Sequence, residues 1–312
     1  MARATDKSPL RIPHAAVRGA VAVIFPGQGS QTDEMREQVE RHRPDLLELA
    51  LSEVGAELFE RASDGTRWAQ PAIFCAALAG WEQLRERVEP AFMAGHSLGE
   101  ISALTAAGAI RAEDGLRLVA ARGRLMQEAA EQEGDGGMIA VRARQDRAGI
   151  EVIASDTGLA VANDNSPDQL VLSGATAALD RAEELLRERK LRAKRLPVAG
   201  AFHSPLMQPA VAPFRALVYE TELREPSVPV FSCVTAEPFD DVRERLVEAI
   251  TSPVRWLDVM RGLHARGATS FVETGPGRVL TGLVRKSLED VHAEAPLLDE
   301  SPATTGMEAA RA

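Results

Sequence analysis

Short apolar runs and longer amphipathic runs alternate through most of this chain. "GAVAVIF" (19–25) is continuously apolar and is closed by the turn-forming "PGQGSQ", which predicts a short buried strand. Helical spacing follows in "RPDLLELALSEVGAELFERA" (43–62) and in "AQPAIFCAALAGWEQLRERV" (69–88), the second with a polar end. "AFMAG" (91–95) predicts another buried strand, "LGEISALTAAGAI" (98–110) a helix directly after it, and "AEDGLRLVAARGRLMQEAAEQ" (112–132) a further helix. Strands alternating with helices predict a mostly parallel sheet covered on both faces.

The pattern changes after "EGDGG" (133–137). Strand "GMIAVRA", helix "DRAGIEVIAS", strands "LAVAND" and "DQLVLSGA", helix "TAALDRAEELLRERK" and strand "LRAKRLPVAGA" follow in turn. That order is βαββαβ, the ferredoxin-like arrangement, and it predicts a small inserted subdomain over 134–198. The first pattern then resumes, so the catalytic core is expected to comprise 19–133 and 199–292. Its second part holds a helix from Ser204, the strand "PVFSCVT", the helix "PVRWLDVMRGLHARG", the strand "SFVET" and a last helix after "GPG". Residues 1–18 and 293–312 are expected to be flexible tails.

Composition narrows the function. Of 312 residues 45% are apolar, enough for one large α/β unit with a smaller one attached. The net charge of -10 is the opposite of a nucleic-acid binder's balance, and an acidic partner would need a local basic patch. Cys75 and Cys233 sit in apolar context without metal-ligand spacing, which predicts buried reduced thiols. The first residues lack the apolar stretch of a signal peptide, and no apolar run reaches the ~18 residues of a membrane helix. A reducing cytoplasm, no membrane and no nucleic acid are therefore expected.

The candidate chemistry centres on "GHSLG" (95–99), a G-x-S-x-G between a predicted strand and a predicted helix. A strand that turns straight into a helix crowds its own backbone, which is why glycines flank the corner. The turn exposes the Ser97 hydroxyl, and the helix start offers free N–H groups, that of Leu98 among them, to a developing oxyanion. A tight structural turn is the alternative reading. A serine nucleophile needs a base. His14 falls in the expected N-terminal tail, His292 at the border of the C-terminal one, and His42 and His264 among surface charges. His96 adjoins Ser97, but its side chain leaves the elbow in another direction and suits packing or local hydrogen bonding. His203 follows a strand and a glycine and precedes a Ser-Pro pair that reads as a helix cap, which makes it the candidate base, with a loop histidine of no consequence as the alternative reading. Arg122 falls in the apolar stripe of Leu118, Val119, Leu125 and Met126, where a cation needs an anion. Spacing leaves open whether that anion is an internal carboxylate or a substrate's.

These residues together resemble the malonyl-CoA:acyl carrier protein transacylases of fatty-acid synthesis and the acyltransferases of polyketide synthases. The matching segments, in order, are "FPGQGSQ" (25–31), "GHSLGE" (95–100), "RGRLMQEA" (122–129), "NDNSPDQLVLSG" (163–174), "GAFHSPLM" (200–207), "SPVRW" (252–256) and "ETGPGRVLTGL" (273–283). The resemblance implies an α/β-hydrolase-like core carrying the ferredoxin-like subdomain. It implies Ser97 as acyl-carrying nucleophile, His203 as general base and acid, Arg122 as the fork for a malonyl carboxylate, and the backbone N–H groups of Gln28 and Leu98 as oxyanion hole. Asn165 and His96 become candidate pocket residues. His203 is expected to be oriented by a backbone carbonyl near Pro253–Trp256, with no triad aspartate; Arg255 stands where relatives often carry Gln. Phe202, directly before His203, goes with malonyl selectivity in such acyltransferases.

The implied activity is ping-pong malonyl transfer from malonyl-CoA to the phosphopantetheine thiol of acyl carrier protein, without metal or redox cofactor; a monomer is expected, though the sequence carries no signal of oligomeric state. A discrete polyketide-synthase acyltransferase, an acyl-thioester hydrolase and an inactive carrier-binding module are the rivals. The basic run "RERKLRAKR" (187–195) is the expected carrier dock, with Arg278, Arg285 and Lys286 as the alternative patch.

Overall fold

The computed structural model describes residues 19–296 apart from Gln145 and Ala199; the expected tail at 1–18 and the chain beyond 296 lie outside the described residues. Strand β1 (Ala20–Phe25) leads into helices α1 (Met35–His42), α2 (Pro44–Glu53) and α3 (Thr66–Leu84). Strand β2 (Phe92–Gly95) and helices α4 (Gly99–Ala106) and α5 (Ala112–Glu133) complete the first part of the core. The inserted unit comprises β3 (Gly136–Arg142), α6 (Arg147–Thr157), β4 (Ala160–Ser166), β5 (Gln169–Ala175), α7 (Thr176–Glu188) and β6 (Ala193–Arg195). A 3-10 turn at Pro205–Met207 then opens α8 (Gln208–Glu220). The chain closes through β7 (Val230–Phe231), α9 (Val242–Glu248), α10 (Trp256–Ala265), β8 (Ala268–Glu273), α11 (Val279–Ser287) and β9 (His292–Glu294).

The core sheet runs β7-β2-β1-β8-β9 with every neighbouring pair parallel. Side chains of β1 alternate between its two faces. Val23 and Phe25 join the apolar cluster built with α3, α4 and α5, while Ala22 and Ile24 join the cluster built with α10 and α11. A sheet buried on both faces explains why its strands read as unbroken apolar runs. The inserted unit is a second, antiparallel sheet of order β4-β5-β3-β6. Ile139 and Val141 of β3 pack with Ile150 of α6 and Leu179 of α7, so the helices cover one face of this sheet. The α/β class with an inserted ferredoxin-like unit, expected from the pattern, is borne out.

Several elements differ from expectation. The helix expected over 43–62 ends at Glu53, just before Gly55 with φ 129°. The runs at 191–201 and 229–235 pair as strands only over Ala193–Arg195 and Val230–Phe231, because both lie at sheet edges and the chain soon leaves the neighbouring strand. Helices α1 and α9 were not anticipated: Met35 and Val39, and Leu246 and Val247, are too few buried positions to show a period. The tail expected from 293 is corrected too. β9 pairs in parallel with β8, Ala293 is buried opposite Phe271, and exposed His292 lies 3.1 Å from Glu294. No helix among the described residues is long and apolar enough to cross a membrane.

Candidate active site

The loops that leave the carboxyl ends of β1 and β2, neighbouring parallel strands, meet above the sheet, the usual place for a site in an open α/β fold. The β2 loop is the corner at 95–99. A Cβ on Gly95 would overlap the backbone of Gly99, and one on Gly99 would overlap the carbonyl of Phe25, so only glycine lets the helix start so close to the strands. The same tightness puts Ser97 in the left-handed region, φ 55°, a conformation that costs a non-glycine residue about 1–3 kcal/mol and persists only where its surroundings hold it. The β1 loop brings Gln28 beside the corner. The amide N–H groups of Gln28 and Leu98 have no partner among the described residues, and both residues line the same small cavity of about 150 Å³.

His203 reaches this cavity from the loop after β6, also with positive φ, 57°. Ser204 next to it caps the 3-10 turn, accepting from Leu206 N–H at 3.3 Å. His203 Nε2 lies 2.8 Å from Ser97 Oγ. Its Nδ1 donates to the carbonyls of Ala249 and Ser252 at 3.0 and 3.1 Å, which leaves Nε2 unprotonated and facing the hydroxyl. The orienting carbonyls therefore lie just before the expected Pro253–Trp256 stretch. The Arg255 side chain turns away to Asp258 and the Thr235 carbonyl. Burial, reinforced by the positive charge of Arg122, pushes the His203 imidazole down to about 3, so it is a neutral acceptor at pH 7.

Arg122 is 3% exposed and sits on α5 where that helix crosses α3. Gly123 permits the close crossing, since a Cβ there would press on the Thr66 carbonyl. The guanidinium donates to Gln70 Oε1 at 2.9 Å and to Ser97 Oγ at 3.1 Å, and no carboxylate pairs with it among the described residues. The alternative of an internal salt bridge is therefore not what the structure contains. The charge that acts on it from a distance is buried Glu100, on the first turn of α4. Burial lowers the Arg122 pKa to about 10, so the cation persists, unpaired, beside the serine.

Phe202 lines the cavity next to the dyad. His96 points away from Ser97: its Nε2 is 2.8 Å from Asn165 Oδ1, and its ring stands edge-on to Trp256. Ser97, His203, Arg122, Gln28, Leu98, Phe202, His96 and Asn165 all line one cavity. Sequence reasoning passed over Gln70 and Thr66, whose 2.8 Å bond sets the Gln70 amide against Arg122, and over Glu100, which accepts from Cys233 N–H at 2.6 Å. The signal was the same as for Arg122, a polar side chain within an apolar helix.

An acyl transferase domain model matches residues 23–305. The chain belongs to the acyl transferase domain family. Over 302 residues it is 40% identical to the polyketide biosynthesis protein ThaF of Burkholderia thailandensis, covering 91% of this chain but 26% of ThaF, so it spans about a quarter of that relative. It is 37% identical to the malonyl CoA-acyl carrier protein transacylase of Bacillus subtilis, covering 85% of this chain and 90% of the relative. The crystal structure of the malonyl-CoA:acyl carrier protein transacylase of Xanthomonas oryzae superposes with a TM-score of 0.81 at 36% identity, covering 88% of this acyl transferase and 94% of that chain.

Proposed function

We propose that this acyl transferase moves a malonyl group from malonyl-CoA to the phosphopantetheine thiol of acyl carrier protein through an ester on Ser97. The observation that carries this reading is the buried Arg122 guanidinium, which has no carboxylate partner among the described residues and lies 3.1 Å from the Ser97 hydroxyl. It suits an acyl group with a free carboxylate a few bonds from the reacting carbonyl. Similarity over 90% of the length of a malonyl transacylase supports the substrate and acceptor.

In the first half-reaction His203 Nε2 takes the Ser97 proton as Oγ bonds to the thioester carbonyl carbon. The oxyanion is held by the amides of Gln28 and Leu98. Collapse breaks the C–S bond, and the CoA thiolate leaves with the proton from His203. In the second, the carrier's thiol gives its proton to His203, its sulfur attacks the ester, and Ser97 leaves and regains its hydrogen. The reaction is an exchange of acyl acceptors and calls for no cofactor. The substrate carboxylate also neutralises Arg122, which otherwise opposes the imidazolium that His203 must become. The Phe202 ring leaves little room for a branch at the α-carbon, a methyl discrimination of ~1–3 kcal/mol. The cytoplasm is its proposed compartment, one in which the buried thiols Cys75 and Cys233 stay reduced.

The carrier's approach is proposed along the face of the inserted sheet turned away from α6 and α7. Met138, Val171 and Leu196 on that face line the Ser97 cavity. Two residues further along the same strands and the chain entering them, Ala140, Gln169 and Lys194 line a larger cavity of about 670 Å³ with Arg142, Lys190, Arg192 and, from α11, Lys286. The two candidate docking patches thus contribute to one groove. Arg195 and Arg189 of the expected patch are spent on Asp180, Glu183 and Asp146.

Intact-mass spectrometry after mixing with malonyl-CoA tests the function. A malonyl adduct absent from Ser97→Ala and discharged by holo carrier protein is expected. Arg122→Ala is expected to lose the malonyl adduct while still accepting acetyl from acetyl-CoA. CoA release without an adduct would instead make the protein a hydrolase, and no reaction would make it a binding module.

A further inference from the structure

Ser97 and His203 both hold left-handed backbone conformations, φ 55° and 57°, so neighbouring structure must keep each of them in place. The edge strand β4 of the inserted sheet reaches both, through one intermediary each. On the nucleophile side, Asn165 Oδ1 stands 2.8 Å from Nε2 of His96, the residue before Ser97. Asn165 Nδ2 donates to Gln169 Oε1 on β5 at 3.2 Å, which turns Oδ1 towards the histidine. Burial lowers the His96 pKa and keeps the ring neutral, and the facing Oδ1, which can only accept, places its hydrogen on Nε2. The His96 backbone in turn anchors the corner: its N–H donates to the Phe25 carbonyl at 2.9 Å, and its carbonyl accepts from Gly99 N–H at 3.0 Å.

On the base side, β4 grips the segment that orients His203. Asp164 N–H donates to the Val254 carbonyl, and Val254 N–H donates to the Ala162 carbonyl, both at 2.9 Å, a parallel bridge centred on Asn163. Two residues before Val254 is Ser252, whose carbonyl, with that of Ala249, accepts the hydrogen bond from His203 Nδ1–H.

We propose that β4 braces the Ser97–His203 pair at its working distance, with Asn165, acting through His96, as the positioning residue on the nucleophile side. The inserted sheet is then part of the catalytic frame as well as the floor of the cleft. The proposal rests on the dyad reading of Ser97 and His203. Because Asn165 also borders the cavity, the rival role is direct contact with the acyl substrate.

The test compares wild type, Asn165→Ala, His96→Phe and the double variant by two measures. One is kcat and KM for malonyl-CoA. The other is the rate at which phenylmethanesulfonyl fluoride modifies Ser97, where Oγ bonds to sulfur, fluoride leaves and His203 takes the proton. That reagent has neither a carboxylate nor a thioester arm, so it reports the dyad and not substrate contacts. Asn165→Ala is expected to lower kcat and the sulfonylation rate in parallel, by about tenfold, with KM little changed. The double variant is expected to be no slower than His96→Phe alone. A raised KM with unchanged sulfonylation would make Asn165 a substrate contact and overturn the proposal. So would multiplying effects in the double variant, or no effect at all. If His96→Phe fails to fold, the kcat, KM and sulfonylation pattern of Asn165→Ala still decides. A wild-type Ser97 inert to both the reagent and malonyl-CoA would overturn the dyad reading, and the brace with it.

Discussion

Glu100 and Arg122 are buried charges that influence one another behind Ser97 without touching, and the carboxylate has the stronger pH signature. Burial raises the Glu100 pKa to about 7, although Cys233 N–H and the Arg122 charge favour its ionised form. The native protein therefore keeps a proton that the unfolded chain releases near the ordinary carboxylate value, and stability falls as pH rises from about 4.5 to about 7. His203 works in the other direction. Its native pKa of about 3 lies below the unfolded value of 6.5, so stability falls as pH drops through that interval. Glu100→Gln keeps the acceptor for Cys233 N–H and removes the titration. Denaturant unfolding at pH 5 and pH 8 is expected to show wild type losing stability between them, by up to a few kcal/mol, relative to Glu100→Gln. Parallel behaviour of the two proteins would rule Glu100 out as the cause.

Elements place these residues with little slack. The corner between β2 and α4 exists because Gly95 and Gly99 leave the backbone room to turn, and α4 starts against the carbonyl of Phe25 at the end of β1. Gly99→Ala is expected to cost about 1–3 kcal/mol as overpacking and to slow Ser97 acylation more than that loss of folded protein explains. Thermal unfolding and adduct formation below the melting transition measure the two effects. An acylation rate equal to wild type would show that the corner relaxes around the extra methyl without moving the hydroxyl. Helix α5 is held in the same way: it approaches α3 at Gly123, which brings the Arg122 guanidinium onto Gln70.

At the scale of the whole molecule, a chain of net charge -10 must attract a partner proposed to be acidic. Lys190, Arg192 and Lys194 are gathered with Arg142 and Lys286 around one cavity at the end of the inserted sheet, a local basic patch of the kind such attraction needs. Reversing Lys190, Arg192 and Lys194 to Glu is expected to raise KM for carrier protein by about tenfold at low salt and to weaken the salt dependence of transfer. Malonyl adduct formation on Ser97 is expected to be unchanged. A carrier KM equal to wild type would move the dock to another surface.

The chain's own pattern determined the alternation of parallel strands and helices, the βαββαβ insertion and the glycine-flanked corner, because each follows from local periodicity and backbone sterics. Ser97 stood out by that corner, and Arg122 by its place in an apolar stripe, both local signals. The partners were decided only in three dimensions. Residues 106 apart in the chain put Ser97 and His203 2.8 Å from one another, and Gln70 reaches Arg122 across 52 residues by a helix crossing. Likewise β4 meets the 249–254 segment through backbone bonds that carry no side-chain signature. The edge strand β9 has no signature in the sequence, because three residues are too short for a period and its pairing depends on where β8 already lies. Local patterning thus names the candidates, while burial and long-range packing decide which atoms meet and in which protonation state.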